Sequence, residues 1–72
     1  MDQHENYLYH LRIQAVAECI ELFEGDTEAA ERWMSKPVRG LAFRTPNDLL
    51  ESETGIEQLR LLVGRLEHGI PS

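Results

Sequence analysis

Apolar residues recur along the chain at spacings of three and four, the period of a helix packed on one face. In the first segment, from about Gln3 to Phe23, Leu8, Leu11, Ala15, Cys19 and Leu22 make one such stripe. Ile13, Val16, Ile20 and Phe23 make a second stripe beside it. A helix with two apolar stripes is too hydrophobic to face a single neighbour. The pattern therefore predicts that this helix lies centrally in a small bundle or sits in a dimer interface. Gly25 follows as its expected C-terminal cap.

The next stretch, "GDTEAAERWMSKP", predicts a second helix. Asp26 or Thr27 serves as N-cap, and Glu28 opposes the positive helix end. Ala29, Ala30, Trp33 and Met34 form an apolar face directed at the core. Lys36 falls in the last turn, and Pro37 stops the helix. "PVRGLAFRT" reads as a loop carrying Arg39 and Arg44 and no acid. "TPNDLLES" then opens a short third helix with Thr45 as N-cap, Pro46 in the first position and Asp48 in the third. Proline loses no hydrogen bond there, because its N–H would be unpartnered anyway. Thr54 or Ser52 starts a last helix, which Gly69 and Pro71 end. Its face is Ile56, Leu59, Val63 and Leu66, widened by Leu62. No strand-like alternation appears. The expected fold is all-α, a dimerising bundle of three to four helices.

Size sharpens the expectation of a partner. A chain of 72 residues is one domain, and it hides only about 60% of its unfolded surface on folding. Small scaffolds add disulfides, a metal or a partner. Cys19, the single cysteine, makes no internal disulfide, and no Cys/His cluster has zinc-ligand spacing. That favours oligomerisation or a partner protein, with idealised helical packing as the alternative. No apolar run reaches the ~20 residues of a membrane span, and the polar start "MDQHENYLYH" is unlike a signal peptide. A cytoplasmic setting is expected. Thirteen acids against seven bases give a formal charge of −6, which disfavours phosphate binding and favours a basic surface on a partner.

Chemistry is sparse. His4 and His10 are six residues apart, roughly 120° out of alignment on a helix, and read as surface histidines. Cys19 lies on the apolar stripe, with no histidine or helix N-terminus to activate it. Glu18, Glu21, Glu24, Asp26, Glu28 and Glu31 crowd the first turn without the calcium-loop pattern. They form a solvated face or a docking face for a basic partner. No Gly-rich phosphate loop and no catalytic constellation can be picked out, so no enzyme and no cofactor is expected. A helix-turn-helix reading of "EGDTEAAERWM" supplies only Arg32 and Lys36 beside Glu28 and Glu31, a poor set for phosphates and base edges. Contact with DNA through this chain alone is not expected.

Two longer stretches carry a resemblance: "AECIELFEGDTEAAERWMSKP" and "LAFRTPNDLLESETGIEQLRLLVGRLEHGIPS". Together they are similar to the toxin-binding domain of the Xre/MbcA/ParS antitoxins. The matching positions begin with Ala17, Leu22, Phe23, Asp26, Ala30, Trp33 and Pro37. They continue through Leu41, Arg44, Thr45, Pro46, Asp48, Leu49, Leu50 and Gly55. They end with Leu62, Arg65, Leu66, Glu67, Gly69 and Ile70. On this footing residues 15–72 are the toxin-binding domain, and residues 1–14 extend its first helix, within one domain of 1–72. Two departures stand out. The chain has no room before residue 15 for the helix-turn-helix domain that such antitoxins usually carry. The family's Gly-Gly before the arginine is Ala42-Phe43 here, with Phe43 either filling the core or adding an apolar contact.

The resemblance implies an antitoxin that neutralises an NAD-consuming RES-domain toxin, and a homodimer. It implies inhibition by a C-terminal end lodged in the toxin's NAD pocket. The residues expected at that contact are Arg44, Arg65, Glu67, His68, Gly69, Ile70, Pro71 and Ser72. Arg44, beside the Thr45-Pro46 helix start, either braces the loop by bonding carbonyls or reaches the partner. A terminal carboxylate and the Ser72 hydroxyl suit cationic groups that hold NAD phosphates, and Pro71 limits the tail's freedom before binding. The alternative is a dimerisation module of a transcriptional regulator.

Overall fold

A computed structural model describes residues 3–68 of the chain and the side chains of 6–68. Four α-helices and one 3-10 turn follow in order: α1 (Gln3–Leu22), α2 (Thr27–Met34), the 3-10 turn (Arg39–Leu41), α3 (Pro46–Leu49) and α4 (Glu53–Glu67). The described residues form the expected all-α fold. Their core is Ala15 and Cys19 from α1, Ala30 and Met34 from α2, Leu41, Leu49, and Ile56, Leu59 and Val63 from α4.

Helices α2, α3 and α4 each begin on a side-chain cap. Asp26 Oδ1 accepts from the Ala29 N–H at 3.1 Å, Thr45 Oγ1 from Asp48 at 3.1 Å and Ser52 Oγ from Gly55 at 3.0 Å. Each bond satisfies an N–H that the helix itself leaves orphaned. Ser52, not Thr54, is therefore the α4 cap. Between α1 and α2 the left-handed turn is shared by Glu24 (φ 56°) and Gly25 (φ 86°). The Gly25 N–H reaches back to the Ile20 carbonyl at 3.0 Å. Ser35 is the C-cap of α2, so Lys36 lies beyond the helix and not in its last turn. Phe23 and Trp33 meet across this hairpin with ring centroids 5.9 Å apart. Trp33 is half-buried, at the edge of the core.

One stripe of α1 is covered and the second only in part, with Val16 packing against the core. Ala15 and Cys19 are buried, and Leu8, Leu11 and Leu22 pack against the core. On the second stripe Ile13 is 49% exposed, so α1 is not the central helix. That place belongs to α4, which touches α1, α3 and the 3-10 turn. Along α4 the expected face holds through Ile56, Leu59 and Val63. Leu66, one turn further on, is exposed, because nothing among the described residues packs over it.

Two polar contacts tie α1 to the far half of the chain. The Arg12 Nε–H donates to the Leu50 carbonyl at 2.6 Å, closing the C-terminal end of α3. Arg60 grips Glu18 with two bonds, 3.0 and 2.8 Å long. Both partners of that pair are substantially exposed, so its contribution is below about 1 kcal/mol.

Gly55 is where α4 lies closest to α3. A β-carbon there would overlap the Leu49 carbonyl oxygen and stand 3.0 Å from Leu49 Cα. Backbone occupies that space, so no side-chain rotation relieves the clash. Gly55→Ala is expected to lower stability by about 1–3 kcal/mol, measured by chemical denaturation. Burial, reinforced by the Glu18 charge, pushes the Cys19 thiol up to about 11 from 9.0. The folded state keeps its proton where the unfolded state releases it. Stability is thus full below pH 9 and falls between pH 9 and about 11. Folded protein is expected to resist iodoacetamide at pH 8 and to be alkylated on denaturation.

Candidate partner-binding surface

The segment from Val38 to Arg44 is a knot of backbone hydrogen bonds. The Val38 N–H donates to the Arg44 carbonyl at 3.0 Å, forming an isolated antiparallel bridge. In return the Val38 carbonyl accepts from Leu41 at 2.9 Å and from Phe43 at 3.0 Å. The Arg44 N–H donates to the Leu41 carbonyl at 3.1 Å. Leu41 is buried and anchors the knot in the core. Neither the bridge nor the 3-10 turn has the periodicity that announces a regular element, so the sequence shows only a loop.

Arg44 leaves this knot exposed, just before the α3 cap. Its side chain makes no hydrogen bond or ion pair among the described residues, so the expected carbonyl brace is not formed there. Arg12 braces a helix end instead, through Leu50. Arg44 lines a shallow depression of about 360 Å³ with Gly40, Leu41 and Ala42 on one wall, and with Gln58, Leu61, Leu62 and Arg65 of α4 on the other. Two of the predicted contact residues, Arg44 of the knot and Arg65 of α4, thus line one depression. No acid is among the residues lining the depression.

Glu67 lies elsewhere. It lines a groove of about 510 Å³ between α1 and α4, shared with Tyr7, Leu11, Glu53, Glu57 and the Glu18–Arg60 pair. His68 is the exposed C-cap of α4, and its N–H donates to the Gly64 carbonyl at 3.2 Å. Gly69, Ile70, Pro71 and Ser72 lie outside the described residues, as does the His4 side chain. Of the acids around the first turn, Glu18 turns to α4, Asp26 caps α2, and Glu21, Glu24, Glu28 and Glu31 face solvent. Among the described residues no group of three or more His, Cys, Asp or Glu side chains is placed to hold a metal ion. No described helix is long and apolar enough to cross a membrane.

Leu61 was not legible as a surface feature, and the sequence left Phe43 open between the core and an apolar contact. Leu61 is 60% exposed on the rim of the arginine depression, and Phe43 is 69% exposed on the knot. Leu61's departure from the Ile56–Leu59–Val63 stripe was the available signal. A third surface lies on α1, where Tyr9, Arg12, Ile13, Val16, Ala17 and Ile20 line an almost wholly apolar groove.

A small all-helical chain with charged and apolar surfaces of this kind is a candidate for binding another protein. The family model for the antitoxin Xre/MbcA/ParS C-terminal toxin-binding domain matches residues 20–69, and the chain belongs to that family. It is 40% identical over 60 residues to an Antitoxin Xre of Photorhabdus laumondii, covering 83% of this chain and 40% of the relative. It is 45% identical over 58 residues to an Antitoxin Xre of Yersinia enterocolitica, covering 81% and 39%. The chain therefore spans about two fifths of the length of these curated relatives.

Proposed function

We propose that this chain acts as an antitoxin that binds an NAD-consuming RES-domain toxin and silences it by occluding the active site. The observation that carries the reading is the extent of the family match. It runs from α1 through the Arg44–Arg65 depression to residue 69, past the end of α4. Arg44 and Arg65 present planar, multiply donating cations suited to carboxylates and carbonyls of a partner. On this reading residues 69–72, which follow Glu67 and His68 in the chain, make the contact with the toxin. A pocket that holds NAD phosphates carries cationic groups, and Glu67 complements them. Pro71 narrows the conformations lost on docking. The exposed acids near the first turn speed encounter and set orientation more than they add affinity.

The same reading includes a homodimer through the partly covered stripe of α1. Tyr9, Ile13, Val16 and Ile20 follow one another at four, three and four residues, the spacing of a helix-pairing seam. Arg12 lies toward one end of the stripe, and Glu21 and Glu24 toward the other. An antiparallel pairing sets those opposite charges against each other.

Deleting Ile70 to Ser72 is expected to weaken inhibition of NAD consumption by about tenfold or more, with the far-ultraviolet circular dichroism unchanged. Full inhibition by the shortened chain would exclude occlusion by the tail. Ile13→Glu is expected to convert the dimer to monomer in sedimentation velocity without loss of helicity; a wild-type chain that sediments as monomer would exclude the α1 pairing.

A further inference from the structure

Phe43 stands where packing does not account for it. It is 69% exposed, more than any other large apolar side chain described. Its backbone also lies in the left-handed region at φ 64°, directly after Ala42 at φ 54°. That region is sterically disfavoured for every residue except glycine, and most of all for a bulky one. The conformation is imposed by the knot, through the Phe43 N–H bond to the Val38 carbonyl and the Val38–Arg44 bridge on either side. The ring is therefore presented on a rigid, strained frame without any gain in core burial. Strain of this kind marks positions held for binding.

The surroundings point the same way. Ala42 and Arg44, its chain neighbours, both line the depression that Leu61 and Arg65 close from α4. An exposed leucine and two arginines line this depression, and the exposed aromatic stands between two of its lining residues in the chain without lining it itself. Aromatic residues and arginine are the types enriched at the centres of protein interfaces. On a chain of net charge −6, two arginines with no acid lining their depression call for acidic groups on the partner.

We propose that Phe43 is an anchor residue that inserts into an apolar pocket on the toxin, while Arg44 and Arg65 pair with carboxylates at that pocket's rim. This rests on the toxin-binding reading above. It adds a second contact, separate from the tail, that selects among toxins by the shape of one pocket.

The test compares the full chain with its Phe43→Gly and Phe43→Tyr variants. Thermal unfolding and the Kd for the RES-domain toxin are measured for each. Phe43→Gly is expected to unfold at the same or a higher temperature, because glycine accepts the left-handed backbone. It is expected to bind about tenfold or more weakly, mostly through faster dissociation. Phe43→Tyr is expected to restore most of the affinity. Unchanged Kd for Phe43→Gly, beside a wild-type chain that binds, overturns the anchor alone. A lowered unfolding temperature, or an unfolded variant, makes Phe43 a packing residue and also overturns it. A wild-type chain that does not bind the toxin overturns both the toxin reading and the anchor.

Discussion

The close approach of α4 to α3, made possible by the missing side chain at Gly55, is the contact on which the rest of the arrangement depends. It lets Leu49 and Pro46 sink beneath α4 as a plug of buried surface. With Pro46 buried, Thr45 and Arg44 are held at the edge of the core, and the Val38–Arg44 bridge closes over them. The Arg44 side of the depression then faces Arg65 across Leu62. A shift of one β-carbon at Gly55 would propagate along this path, since close-packed interiors transmit displacement instead of absorbing it.

Charge is divided between holding the fold and displaying a surface. Arg12 and Arg60 join α1 to the later helices through Leu50 and Glu18. Arg44 and Arg65 stay outside, on the apolar depression. The magnitudes explain the division. An exposed pair such as Arg60–Glu18 contributes below about 1 kcal/mol, whereas truncating a buried leucine such as Leu59 costs about 2–5 kcal/mol. The core therefore sets the fold, and the arginines at the depression are available to a partner.

That availability matters in so small a domain. Three surfaces remain incompletely covered: the α1 stripe, the arginine depression with Phe43, and the groove between α1 and α4. A chain with a limited interior leaves apolar groups on its surface that a partner can bury. The Xre/MbcA/ParS family match, over residues 20–69, spans the arginine depression in full and the α4 wall of the groove.

Much of this was determined within the sequence itself. Asp26, Thr45-Pro46 and Ser52 announced helix starts because a cap acts over three residues of chain and needs nothing beyond them. The core faces of α2 and α4, Leu66 apart, followed from periodicity alone. Other features were decided only by the tertiary structure. Which α1 stripe is buried depended on which surface α4 could cover. The Glu18–Arg60 pair spans 42 residues, and the meeting of Arg44 with Arg65 required the knot and α4 to dock first. Exposure of Phe43 and Leu66 likewise reflects a competition for burial among all elements at once. Caps and turns are settled by bonds between near neighbours; the placement of faces is settled by which contacts remove the most apolar surface from water, and that sum exists only in the folded chain.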